Sequence, residues 1–158
     1  MFVYQDACDG QQPTAVIRQT QVDRLSQVDI LSAAAFYSLR SAIERGRQRR
    51  SMADMRALAL AVNSYGVDFV QFPLLPAAEA LELRPYLTPT YLKILPERDG
   101  WHRQFLYEGQ GIDYTLLSVA MDGARDGDLP LGPTTHFNRD IVMHNGVFIQ
   151  WPDGMQVK

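Results

Sequence analysis

Four aspartates lie on or beside one long loop: Asp122, Asp126, Asp128 and Asp140, in the stretch DGARDGDLPLGPTTHFNRD. Carboxylates gathered on a glycine-rich segment suit a hard cation. Calcium takes six to eight oxygen ligands, and a loop that bends freely can wrap them around the ion. The spacing is not that of an EF-hand, which needs acids at alternate positions before a glycine and a glutamate at the end. The same residues also make ordinary turns, because an Asp side chain bonds its own backbone two residues on. A calcium site and a set of turn aspartates are the two readings of this loop.

Other chemistries find less support. His102, His136 and His144 contain no pair at i, i+4 spacing, and Cys8 is far from them in sequence, so no transition-metal site is expected. One cysteine excludes an internal disulfide. Ser51 and Ser118 lack a Gly-x-Ser-x-Gly setting. Gly109–Gly111 joins two strand-like segments and opens no helix, so it is no phosphate loop. No enzyme is expected. Arg45, Arg47, Arg49 and Arg50 form a basic collar, read either as a solvated helix turn or as a partner for acids on a neighbouring like subunit. It is too small, and too free of interleaved aromatics, for a nucleic-acid surface. Residues 1–50 carry seven arginines against five acids, and residues 51–158 eight basic residues against thirteen acids. Such an asymmetry suits head-to-tail packing of like subunits.

The elements that must hold these groups follow from periodicity. A chain of 158 residues, 46% hydrophobic and 21% charged, fits one globular domain with its own core. No stretch reaches the roughly 18 apolar residues of a membrane span, and the opening has no basic segment followed by an apolar one, so no signal peptide is read. Residues 1–19 are expected to form an irregular tail, and residues 20–158 a domain. Leu25, Val28, Leu31, Ala35, Leu39 and Ala42, then Met52, Met55, Leu58, Val62 and Tyr65, recur at three and four. They predict one helix over about 20–65, bent near Gly46 and ended by Gly66, with its second half packed on a sheet and its first half projecting. The alternative is a separate helix capped by Ser51. Five prolines make 66–100 an irregular middle, with a short helix at AAEALELR and Tyr91, Leu92 and Ile94 turned inward. From Trp101 the period becomes two. RQFLYE and DYTLLSVAM read as strands, and Asn145-Gly146 as a type I′ hairpin turn pairing His144 with Val147, Met143 with Phe148 and Val142 with Ile149. The fold class is α+β: a long N-terminal helix on a small antiparallel sheet spanning 101–152.

In this order the segments resemble a known family. SAIERGRQRRSMADMRALALAVNSYGVDFVQFP resembles the helix of type IV pilin-like proteins, and specifically of the major pseudopilin of type II secretion systems. YLTPTYLKILPERDGWHRQFLY resembles its middle segment, and YTLLSVAMDG its Tyr-Thr-x-x-Ser-x-x-x-Asp-Gly strand. DIVMHNGVFIQWP resembles the terminal hairpin of some branches. The resemblance implies a non-enzymatic filament subunit for protein export, located in the periplasm or at the inner membrane. Its partners would be like subunits, met through the N-terminal helix, and other secretion components. The alternative is a soluble calcium-binding or partner-binding module that does not polymerise. The family's calcium loop implies Asp122 and Asp140 as ligands with the main-chain carbonyl of Val119, while Asp126 and Asp128 lie between. Family precursors place about twenty apolar residues before the collar. Here residues 15–29 read AVIRQTQVDRLSQVD, and a charge at the centre of a membrane helix costs about 2.5–3.5 kcal/mol, so no membrane span is expected in this chain.

Overall fold

The computed structural model describes the backbone of residues 14–127 and 131–157, with side-chain surroundings for residues 32, 34–127 and 131–156. The chain divides into two units, Met1–Arg40 and Ser41–Lys158. The described part of the first is helical, and Phe36, Tyr37 and Leu39 are exposed there. All the sheet lies in the second.

Helix α1 runs Thr14–Phe69. It passes Ser51 without a break. The Ser51 hydroxyl donates to the Arg47 carbonyl at 3.0 Å, the back-bond of a helix interior rather than an N-cap. Nor does the helix stop at Gly66. A Cβ there would lie 2.6 Å from the Phe72 ring, so Gly66 leaves room for Phe72, which packs edge-on against Tyr114 at 4.7 Å. The backbone turns left-handed at Val70 instead, with φ 60.

The second unit is built where α1 meets the sheet. Met55, Leu58, Ala59 and Val62 recur at helical spacing and are buried against Phe105, Tyr107, Tyr114, Leu116, Ile141 and Met143. Burying each large apolar side chain stabilises the unit by about 1.5–3 kcal/mol. A 3-10 turn, Ala80–Leu83, and the short helix α2, Arg84–Leu87, add Leu83 and Leu87 to the core. Tyr91 and Leu92 are half-buried as expected, but Ile94 points outward and is 84% exposed. Leu95, next to Pro96, takes the core position instead.

Among the described residues the sheet has six strands: β1 Leu75–Glu79, β2 Leu106–Gly109, β3 Tyr114–Ser118, β4 Gly132–His136, β5 Ile141–His144 and β6 Val147–Val157. Their order across it is β1-β2-β3-β5-β6-β4. Two features depart from the antiparallel sheet over 101–152. Strand β1 comes from the proline-rich middle and pairs with β2, through a register shift between Leu75 and Ala78. Strand β4 pairs with β6 in parallel. The cause is topological. The chain reverses after β4 into β5, and β6 folds back between the two; antiparallel to β5, it must run parallel to β4.

Asn145 and Gly146 have φ 48 and 84, the left-handed pair of a type I′ turn. His144 faces Val147 and Met143 faces Phe148, as the turn dictates, but Val142 faces Gln150 rather than Ile149. One extra residue on β6 has shifted the register, a bulge that sequence alternation does not reveal.

Candidate metal centre

The aspartate loop leaves β3 at Ser118, and the beginning of that exit is fixed by a buried polar chain. The Ser118 hydroxyl donates to Asp99 Oδ2 at 2.7 Å, and Asp99 Oδ1 accepts the backbone N–H groups of Trp101 and Arg103 at 2.8 and 3.0 Å. The Gly100 N–H donates to Ser51 Oγ on α1 at 2.9 Å. Nearby, the buried Glu44 carboxylate accepts from Arg47 at 3.0 Å and from the Trp101 indole N–H at 2.6 Å. A Cβ on Gly100 would lie 2.3 Å from the Arg47 carbonyl oxygen, so α1 and the Asp99–Trp101 turn touch backbone to backbone. Arg103 then reaches across to donate to the Met121 carbonyl at 2.7 Å, occupying the space where a side chain on Gly123 would sit.

Within the loop the candidate ligands take different places. The Val119 carbonyl accepts the Gly123 N–H at 3.1 Å and closes a turn. Asp122 is exposed, and its Oδ1 accepts from the Ala124 N–H at 3.1 Å, the turn geometry of a free-standing Asp. Asp126 and Asp140 come together. Asp140 Oδ2 accepts the Asp126 N–H at 2.9 Å, and Asp126 Oδ2 accepts the Asp140 N–H at 3.1 Å. Arg139 lies 3.4 Å from Asp126 Oδ1. Asp128 lies outside the described residues. Among the described residues no three His, Cys, Asp or Glu side chains converge as a metal cluster.

Asp140 is fully buried. Burial pushes its carboxyl up from 3.8 to about 6; the negative charges of Asp126 and Asp122 push the same way, while the Asp126 N–H and the Arg125 charge oppose them. Arg125 is itself paired with Glu108 at 2.6 Å.

Sequence reasoning missed one member. Gln150 is buried, and its Nε2 donates to the Asp140 carbonyl at 2.8 Å and reaches Asp126 Oδ2 at 3.4 Å. The β6 bulge sets its place opposite Val142. A polar residue inside the otherwise apolar VFIQW was the available signal. Two buried oxygens in this cluster, Asp140 Oδ1 and Gln150 Oε1, accept no hydrogen bond from the described residues. An unsatisfied buried acceptor costs about 1–3 kcal/mol, more if charged. Oxygen atoms without donors fit a hard cation by their chemistry.

The later part of α1, from Ser38 onward, the Asp-Gly-Trp turn and the strand that feeds the loop all fall within one match to a known family. The family model for protein G of the type II secretion system matches residues 38–130. That is more than half of the 158 residues. This chain belongs to the type II secretion protein G family. No curated protein and no solved structure matches it. Type II secretion protein G is the major pseudopilin, and the family is structural rather than enzymatic. The long helix followed by a six-stranded mixed sheet agrees with the pilin-like α+β fold. Among the described residues, no helix of this protein G relative is long and apolar enough to cross a membrane. The family match ends before Asp140 and Gln150, so the second half of the aspartate cluster belongs to the chain's own C-terminal hairpin region.

Proposed function

We propose that this chain is a non-enzymatic structural subunit of a type II secretion filament, acting at the periplasmic side of the inner membrane beside other secretion components, and that its aspartate loop binds calcium. The observation carrying the first part is the protein G match over residues 38–130, which takes in α1 from Ser38 to its end, on a helix that leaves large apolar side chains exposed. Phe36, Tyr37 and Leu39 are 72%, 62% and 58% exposed. Such side chains call for a partner, and like subunits packed through the N-terminal helix would provide it.

A second reading has an observation of its own. Arg18, Asp23, Arg24 and Asp29 stand in the first half of α1, where they favour a module that binds calcium or a partner without polymerising. Producing the chain in cells whose secretion system lacks its own protein G separates the two. Filaments that contain the chain, seen by electron microscopy, support the subunit reading. A chain that stays in the soluble fraction and restores no filament favours the second.

The calcium part rests on Asp140 Oδ1 and Gln150 Oε1, two buried acceptors without donors among the described residues, beside Asp126. Asp140 and Asp126 would hold the ion with Gln150 Oε1, and Asp122, Asp128 and the Val119 carbonyl would complete the shell. The ion would supply charge neutralisation and lock the loop to the hairpin. Calcium at about 100 times its Kd adds ~2.7 kcal/mol to a fold that alone binds it. The melting temperature in millimolar calcium against chelator measures this, for wild type and Asp122→Ala. No shift in the wild type removes the site. An equal shift in both leaves calcium but removes Asp122 from its ligands.

A further inference from the structure

Two charged patches of the second unit hold side chains that make no ion pair among the described residues. Arg45 and Arg49 stand one helical turn apart on α1. They line a cleft of about 170 Å³ with Gln48, Pro152, Asp153 and Gln156. The other two collar arginines are engaged, Arg47 with Glu44 and Arg50 with Asp54, whereas Arg45 and Arg49 make no ion pair among the described residues. Asp153 shares the wall, but its carboxylate accepts from the Gly154 N–H and pairs with neither arginine. The floor is rigid. Gln48 donates to Gln156 at 3.2 Å, and Gln156 donates to the Thr134 and Asp153 carbonyls at 2.8 Å each.

The second patch carries the reverse charge. Glu79 and Glu82 are exposed beside a cleft of about 300 Å³ that Glu108 and Arg125 also line. Arg125 is paired with Glu108, and Glu79 and Glu82 make no ion pair among the described residues. A reciprocal capping box between them holds both side chains in place at the start of the 3-10 turn.

Sheet topology keeps the two patches apart. Glu79 ends β1 at one edge of the sheet, while Asp153 and Gln156 lie on β6, beside the opposite edge strand. Two complementary patches at different places on one chain make a head-to-tail contact, which propagates from copy to copy into a ring or an open filament instead of ending in a two-fold pair. We propose that Arg45 and Arg49 of one copy receive the carboxylates of Glu79 and Glu82 of a second copy, joining like chains head to tail. This rests on the filament reading above and gives that filament a polar contact. Exposed charge pairs of this kind set orientation and association rate more than strength.

The test is sedimentation of the full chain at low salt and at about 0.5 M salt, where exposed pairs are screened. Wild type is expected to self-associate at low salt. Arg45→Glu with Arg49→Glu, and separately Glu79→Arg with Glu82→Arg, should each weaken association about tenfold or more. A one-to-one mixture of the two reversed chains should associate again, because each then offers the charge the other lacks, an outcome that misfolding would not produce. Circular dichroism checks that each variant folds. Self-association indifferent to both reversals overturns the contact and leaves the filament reading standing. So does a mixture of folded variants that stays apart. A wild type that remains monomeric throughout overturns the contact together with the filament reading.

Discussion

Replacing Asp140 by Asn tests whether its ionised form is a burden that only a cation relieves. Asp140 is buried, and one of its oxygens has no donor among the described residues. Its carboxyl is pushed from 3.8 up to about 6, chiefly by burial. At ~1.36 kcal/mol for each pH unit, holding it ionised costs the fold at most about 3 kcal/mol. The sign follows from a folded value above the unfolded one. The stability contribution is fully present below the unfolded value of 3.8 and is lost as pH rises through about 6. In chelator, Asp140→Asn should therefore match wild type near pH 4 and exceed it at pH 7.5 by about 1–3 kcal/mol. For a chain of this size that is roughly 3–10 °C in melting temperature. Millimolar calcium should narrow the gap at pH 7.5 by raising wild type alone. Thermal melts from pH 4 to 8, with and without calcium, read all of this. If Asp140→Asn in chelator at pH 7.5 is less stable than wild type, the ionised carboxylate is a net support, held by the Asp126 N–H and the Arg125 charge, and the reasoning is wrong.

Three further substitutions examine the scaffold. Gly100→Ala would place a methyl 2.3 Å from the Arg47 carbonyl oxygen, which cannot swing aside; urea unfolding should show a loss of about 1–3 kcal/mol. Val70→Gly should gain about 0.5–1 kcal/mol in the same assay, because a β-branched residue at φ 60 is strained and Val70 is 89% exposed, with little packing to lose. Gly146→Val should cost about 1 kcal/mol or more in melting experiments, since φ is 84 there and the new Cβ would also meet Asn63 Nδ2 at 3.0 Å.

What could be read from the sequence was whatever local chemistry dictates. Met55, Leu58 and Val62 recur at helical spacing and are buried, and Asn145-Gly146 can only turn one way. What could not be read depended on contacts between distant segments. Gly66 looks like a helix stop until Phe72 is found against it. Ile94 and Leu95 are equally apolar, and only the path of the loop decides which turns inward. Strand β1 forms because β2 offers it a partner, despite Pro76. In the site, the four aspartates were visible as types, but their division was not. Asp126 and Asp140 bind each other's backbone across 14 positions, while Asp122 closes its own turn. Gln150 escaped because the extra residue on β6 leaves no trace in the hydrophobic pattern.

The two outermost strands share a feature with a consequence for life at high local concentration. Strand β1 contains Pro76 and breaks register between Leu75 and Ala78; strand β4 contains Pro133 and breaks register between Thr134 and His136. A proline has no N–H to offer a newcomer, and an irregular strand presents its remaining groups out of step. Neighbouring copies therefore cannot stitch their sheets into one continuous ribbon. Crowded together, the chains are protected from amyloid-like fusion, and any ordered array must grow through side chains, where it can also be taken apart.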